Sequence, residues 1–349
     1  MATAVLAYQG LERVEVESAQ AGEIVAVAGF DEVGIGDTIA DPQQPKALPA
    51  VVIEEPTLRM TFAVNKSPLA GREGKYVTSR MLRERLQHEL ETNVALRVAD
   101  TDSADTLLVS GRGELHLAIL IETMRREGYE MEVSQPEVVY KEIDGATCEP
   151  FEQLSIDLPA DCQGAVIEEL GSRRAEMLTL EQGPTAELHA EYRITTRALL
   201  GLKSTLLKKT RGTAVVHHLF EAYRPVVGDL PPPEPHGSLV ATESGVSSAY
   251  AITKVQERGE LFVAPGVPIY EGMVVGQASR DRDVEVNLCR QKKLTNVRSE
   301  TGETTIVLVP PRELTLELAL EYLGPDELLE VTPASLRIRK RITDAKLRL

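Results

Sequence analysis

The segment Asn287–Arg298 reads N-L-C-R-Q-K-K-L-T-N-V-R and carries Arg290, Lys292, Lys293 and Arg298 with no acid among them. It does so in a chain whose formal net charge is -16. From Tyr192 to Phe220 there is again no Asp or Glu, while Arg193, Arg197, Lys203, Lys208, Lys209 and Arg211 supply positive charge. A third group, Arg337, Arg339, Lys340 and Arg341, closes the sequence. An acidic protein that gathers its cations in a few places can face a polyanion there and stay soluble elsewhere. Three such runs point to phosphate contacts with a nucleic acid. Taken singly, each run is also what a solvated helix face or strand edge looks like.

Other chemistry finds little footing. A nucleotide-hydrolysing loop needs G-x-x-x-x-G-K-[ST]. The nearest string ends Gly74-Lys75, with Leu69 in place of the first glycine and Tyr76 in place of the hydroxyl residue. Asn65-Lys66 and Asp31–Gly34 imitate other nucleotide tetrads without a phosphate loop before them. Gly111-Arg112-Gly113-Glu114 is a strand-to-helix turn whose amides could hold an anion, although such turns more often just make a tight bend. His217 and His218 are adjacent in an expected strand and so point to opposite faces. His116 falls in an apolar helical run, as a packed histidine would. No catalytic set and no metal-ligand set emerges, and the chain is expected not to be an enzyme by itself.

A length of 349 residues calls for two to four domains, and 42% apolar with 26% charged residues is the composition of a soluble globular protein. No long apolar run suggests a membrane span or a signal peptide. Cys148, Cys162 and Cys289 are odd in number and far apart, as in reduced cytoplasmic proteins. With no Trp and 4% aromatic residues, base stacking is a poor mode of recognition, and phosphate and shape contacts should dominate.

The periodicities predict an α+β multidomain chain. Residues 4–40 hold short glycine-separated strands, Ala4–Tyr8, Val14–Glu17 and Glu23–Val27, the grammar of a partial β-barrel too short to close alone. Then come a strand at Leu58–Asn65, a helix at Val77–Glu91, strands at Val94–Val98 and Thr106–Ser110, a helix at Glu114–Arg126 and a strand at Tyr129–Val133. That order, β-α-β-β-α-β, is ferredoxin-like. It repeats with strands at Phe151–Leu158, Met177–Glu181, Glu187–Arg193 and Ala214–Tyr223 and helices at Gln163–Arg174 and Leu199–Lys208. The proline-rich stretch Pro225–Pro235 reads as a stiff linker. Beyond it lies a mixed, strand-rich domain. Strands are expected at Ala249–Val255, Leu261–Val263 and Thr304–Val309, a helix at Glu313–Leu323, and a final strand at Ser335–Arg341.

From about Gln9 to Arg341 the chain resembles the C-terminal two-thirds of the BipA/TypA translational GTPases, relatives of elongation factor G. The resemblance is carried by G-L-E-R-V-E-V-E-S-A-Q-A-G-E-I-V-A-V-A-G at 10–29, V-N-K-S-P-L-A-G-R-E-G-K at 64–75, S-G-R-G-E-L-H-L at 110–117 and M-R-R-E-G-Y-E at 124–130. Q-E-R-G-E-L-F-V at 256–263, Y-E-G-M-V-V-G at 270–276, K-K-L-T-N-V-R at 292–298 and R-I-R-K-R at 337–341 complete it. The chain departs from the family at 197–203, where R-A-L-L-G-L-K replaces the common R-G-L-I-G-F-R. It departs again at 234–239, where E-P-H-G-S-L replaces an Arg-x-Asn-Gly run.

The resemblance implies four parts. Residues 1–50 would be the second half of the β-barrel that follows the GTPase domain. Residues 55–135 and 145–223 would be two ferredoxin-like domains of elongation-factor-G type, and 236–349 the family's own C-terminal domain. The GTPase domain, with its GTP and Mg sites, would lie outside this chain, so no cofactor is expected here. The implied partner is the ribosome: rRNA, and the acceptor end of A-site tRNA reached by the C-terminal domain. Roles in large-subunit assembly and in growth under cold or stress follow from the same resemblance. Lys292, Lys293, Asn296 and Arg298 fall in the family's tRNA-facing loop. There lysines would meet phosphates as point charges, Arg298 could grip one bidentately and Asn296 could bond a base edge or sugar hydroxyl. A cytoplasmic monomer, without a membrane partner, is expected. Two other readings stay open: a protein–protein interaction module with solvated basic faces, and an enzyme whose site is not visible in sequence.

Overall fold

The structure, a computed structural model, describes residues 2–10, 12–30, 33–49, 55–183, 187–226, 228, 236–291 and 307–348. The chain divides into two compact units, Met1–Ile53 with Glu91–Val94, and Glu54–Leu90 with Ala95–Leu349. The smaller unit is an antiparallel sheet of strands β1 (Ala4–Gln9), β2 (Glu12–Glu15) and β3 (Val25–Ala28) in the order β2-β1-β3. Gly10, at φ 67°, lets the chain reverse between β1 and β2, a conformation that a β-carbon would oppose. Tyr8, Val14, Ile24 and Val27 stand exposed on this unit.

The larger unit begins with β4 (Leu58–Ala63), α1 (Ser79–Leu90), β5 (Arg97–Asp100), β6 (Thr106–Gly111), α2 (Glu114–Glu127) and β7 (Met131–Val133). The strands pair antiparallel in the order β7-β4-β6-β5. Leu58, Met60 and Phe62 alternate inward along β4 and meet Leu82 and Leu86 of α1 and Leu117, Leu120, Ile121 and Met124 of α2. Gly128, at φ 100°, ends α2 and donates its N–H to the Arg125 carbonyl, while the Tyr129 N–H bonds the Met124 carbonyl.

Two short strands not expected from sequence follow, β8 (Glu137–Val138) and β9 (Lys141–Ile143). Then come β10 (Ala146–Pro159), α3 (Gln163–Ser172), β11 (Glu176–Gln182), β12 (Glu187–Thr195), α4 (Thr196–Leu199), α5 (Leu202–Lys209) and β13 (Val215–Pro225). Their sheet order is β11-β12-β10-β13, again antiparallel. Leu154, Ile156, Ala190, Tyr192 and Ile194 pack against Val166, Leu170, Leu202 and Leu206 in a core of their own.

The remainder comprises β14 (Ser238–Ala241), β15 (Gly245–Val246), α6 (Ala249–Val255), β16 (Gly259–Leu261), β17 (Pro268–Ile269), β18 (Met273–Ala278), β19 (Val284–Val286), α7 (Leu316–Tyr322), β20 (Glu327–Val331) and β21 (Leu336–Lys340). The strand expected at Ala249–Val255 is a helix. Ser248 caps it by accepting the Ala251 N–H at 3.1 Å, and Ala251, Ile252 and Val255 bury one helical face. Alternating apolar residues over so short a run fit either period. Of Thr304–Val309, residues 304–306 lie outside the described residues, and 307–309 form no strand. Apart from the two-stranded β15–β17 pair, the strands of the 236–349 region continue the first sheet. β20 pairs with β7, Leu329 opposite Val133, so one sheet runs β19-β14-β18-β21-β20-β7-β4-β6-β5.

Candidate nucleic-acid interface

The three basic runs have different structural fates. The C-terminal run needs correction as a surface. Arg337, Arg339 and Lys340 lie in β21 and are buried, at 8%, 5% and 3% exposure. Arg339 donates to Glu132 at 2.5 Å, and Arg337 reaches Glu73 and stands 3.6 Å from Glu330. Lys340 binds Asp283 at 2.7 Å, Asp326 at 2.9 Å and Glu327 at 3.0 Å. Burial alone would lower the Lys340 pKa, but these carboxylates raise it overall. Glu73, Glu132 and Asp283 come from elements far away in sequence, and Asp326, Glu327 and Glu330 meet the run only through the β20–β21 pairing. Arg341 is exposed, and its guanidinium reaches the Pro325 carbonyl at 3.4 Å.

The acid-free run 192–220 is divided in the same way. Arg193 lies opposite Glu176 across the β11–β12 register and bonds it at 2.9 Å, and it holds Glu221 at 2.8 Å. Arg197 reaches the fully buried Glu149 carboxylate at 3.1 Å, and Lys209 binds Glu169 at 2.8 Å. Lys203 and Lys208 on α5 and Arg211 in the turn beyond it are exposed and form no ion pair among the described residues. Leu202 and Leu206 bury the opposite side of α5, and the cations near its C-terminus suit the helix dipole. Lys203 and Lys208 are thereby carried on α5 and Arg211 on the turn after it, with no carboxylate of the described residues in ion-pair contact.

In the 287–298 run, Arg290 is exposed and its carbonyl accepts from the Ser248 hydroxyl at 2.5 Å. Lys292, Lys293, Asn296 and Arg298 lie outside the described residues. The chain on either side is held. The Ser248 N–H bonds the Leu288 carbonyl at 2.9 Å, and Gln256 bonds both the Val307 carbonyl and the Val309 N–H at 3.2 Å. Both flanks therefore meet at α6.

The loop that imitates a phosphate cradle already holds an anion of the protein itself. The Gly71 and Gly74 N–H groups donate to the Glu130 carboxylate at 2.8 Å and 2.9 Å, and Asn65 Nδ2 donates to it at 2.8 Å. At the Gly111–Glu114 turn, the Arg112 N–H is taken by His116 Nδ1 at 3.1 Å. His217 and His218 face opposite ways along β13, and His218 pairs through Nδ1 with the buried Glu152. That hydrogen bond raises the His218 pKa. Among the described residues no cluster of three or more His, Cys, Asp or Glu is placed to hold a metal ion, and no helix is long and apolar enough to cross a membrane.

Residues 146–232 match the elongation factor G C-terminus, which makes the β10–β13 unit that of an elongation-factor-like protein. Residues 236–345 match the TypA/BipA C-terminal domain. The large ribosomal subunit assembly factor BipA of Synechocystis is 51% identical over 335 residues, 96% of this chain and 56% of that protein. The proteins of the same name from Bacillus subtilis and Escherichia coli K12 are 47% and 45% identical over 97% of the chain, and again over 56% of their own length. The chain belongs to the BipA/TypA family. It spans little more than half the length of these relatives.

Proposed function

We propose that this chain is the ribosome-docking part of a translational GTPase, acting in the cytoplasm as a monomer in large-subunit assembly. The observation that carries this is the set Lys203 and Lys208 on α5 and Arg211 in the turn beyond it, exposed and without an ion pair among the described residues, in a unit that matches the elongation factor G C-terminus. The two β-α-β-β-α-β units are ferredoxin-like spacers at 55–135 and 145–223. Residues 1–50 are half of an elongation-factor barrel, and 236–349 forms the family's own domain. Arg290 with Lys292, Lys293, Asn296 and Arg298 forms the tRNA-facing edge, near the acceptor end in the A site, and α5 meets rRNA phosphates. GTP and Mg belong to the GTPase part of the parent protein. Work under cold or other stress fits a factor that assists assembly. Sedimentation of the chain with ribosomes tests the proposal. Co-sedimentation that weakens steeply with salt is expected, and failure to co-sediment at low salt contradicts it.

A further inference from the structure

A cavity of about 290 Å³ opens at the surface of the larger unit, lined by residues of α2, α4, α5, α7, β10 and β13. Leu58, Ala118, Leu199, Leu202, Val216 and Leu320 make its apolar wall. Its polar groups are of two kinds. Glu152, 3% exposed, has both oxygens engaged, one by the Thr196 hydroxyl at 2.6 Å and one by His218. Glu114, Glu317 and Glu321 have no ion pair or side-chain hydrogen bond among the described residues. Burial raises the Glu114 pKa, and repulsion from Glu321 and Glu317 raises it further. Lys203 and His218 are the cations that face them. Four carboxylates against Lys203, His217 and His218 leave the cavity negative even with both histidines protonated.

We propose that this cavity binds an aliphatic polyamine. Its ammonium groups would meet Glu114, Glu317 and Glu321, and its methylene chain would lie along the leucine-rich wall. The three carboxylates are not close enough together to ligate a metal ion, and a strongly hydrated divalent cation gains nothing from an apolar wall. An anion would be repelled. A linear amine satisfies both the unpaired acids and the hydrocarbon surface, and the volume suits a small ligand. Because α2, α5 and α7 line the same space, the bound amine bridges the first and second sheets of the unit.

Calorimetry of the full chain with spermidine, without RNA, tests this. Saturable binding with one site per chain is expected, with Mg²⁺ at equal charge concentration a poor competitor. Glu114→Gln with Glu321→Gln should weaken the affinity at least tenfold, whereas Lys203→Gln, by removing a competing cation, should strengthen it. On the unsubstituted chain, spermidine should slow amide exchange at the starts of α2, α5 and α7 and leave β11 unchanged. Displacement of spermidine by Mg²⁺ at equal charge, or uniform protection without preference for those helix starts, overturns the proposal. So does unchanged affinity in a double variant that melts like the parent.

Discussion

Glu330 and Arg337 lie directly opposite each other on β20 and β21, 3.6 Å apart and both buried, yet one oxygen of the Glu330 carboxylate has no hydrogen-bond partner. Ser67 donates to its other oxygen at 2.9 Å, and Arg339 and Glu132 stand nearby. Burial outweighs the attraction of the two arginines and pushes the Glu330 pKa up to about 7. The sign follows from linkage. A carboxyl whose folded pKa lies above the ordinary 4.5 binds its proton more tightly in the folded state. Folding is therefore undisturbed by this group below pH 4.5 and is progressively penalised as pH rises from there toward 7. Glu330→Gln should flatten the fall of stability across that window. Urea melts of both proteins at the two ends of the window check this, and parallel pH profiles contradict it.

Arg339 is predicted to be a structural residue. Removing it leaves Glu132 buried without its partner, and Arg339→Ala should lose about 3–5 kcal/mol of unfolding free energy. Replacing Arg339 and Glu132 together with Met and Leu should restore most of that loss. Chemical denaturation decides the matter. A stable Arg339→Ala protein that only binds ribosomes more weakly would return the C-terminal run to the surface.

Glu130 occupies the amides that a nucleotide phosphate would need, so the stretch 69–76 should bind no GTP. A β-carbon on Gly74 would sit 2.3 Å from the Glu130 Cβ, which something must move to relieve. Gly74→Ala should therefore destabilise the unit by about 1–3 kcal/mol, the usual range for overpacking. Calorimetry with GTP and magnesium should be flat. A stoichiometric heat abolished by Gly74→Ala would show a nucleotide site there.

Much of the architecture was legible in the sequence because the larger cores are built from clear periods. The β-α-β-β-α-β order at 58–133 and at 146–225 follows from alternating strands and amphipathic helices, of which Leu82, Leu86, Val166 and Leu170 are buried while Ile167, expected inward, is exposed. Tertiary pairing was not legible. Arg193, Arg197, Arg337 and Arg339 looked like surface cations because their carboxylates lie tens to hundreds of residues away and meet them only through strand register and loop closure. The β7–β20 pairing, which joins the 236–349 region to the first sheet, gives no local signal either. For α6, the one decisive clue was Ser248 standing as a cap before a seven-residue run.

The unit Met1–Ile53 should exchange its amides fastest. Its three short strands leave Tyr8, Val14, Ile24 and Val27 in water, so local opening exposes little new apolar surface. The slowest amides should lie in β4, β6, α2, β10 and β12. Hydrogen exchange followed by mass spectrometry would show the order, and protection before Glu54 equal to that of β4 would contradict it.

The most direct test of the central claim is the salt dependence of ribosome binding for two triple variants, Lys203, Lys208 and Arg211 to Ala, and Lys292, Lys293 and Arg298 to Ala. Each lost phosphate contact should reduce the slope of log K against log salt by about 0.7–0.9, while the melting transition stays in place. A shallower slope in both variants with unchanged stability is the predicted result. Affinity and slope equal to those of the parent chain in both would contradict docking through these cations.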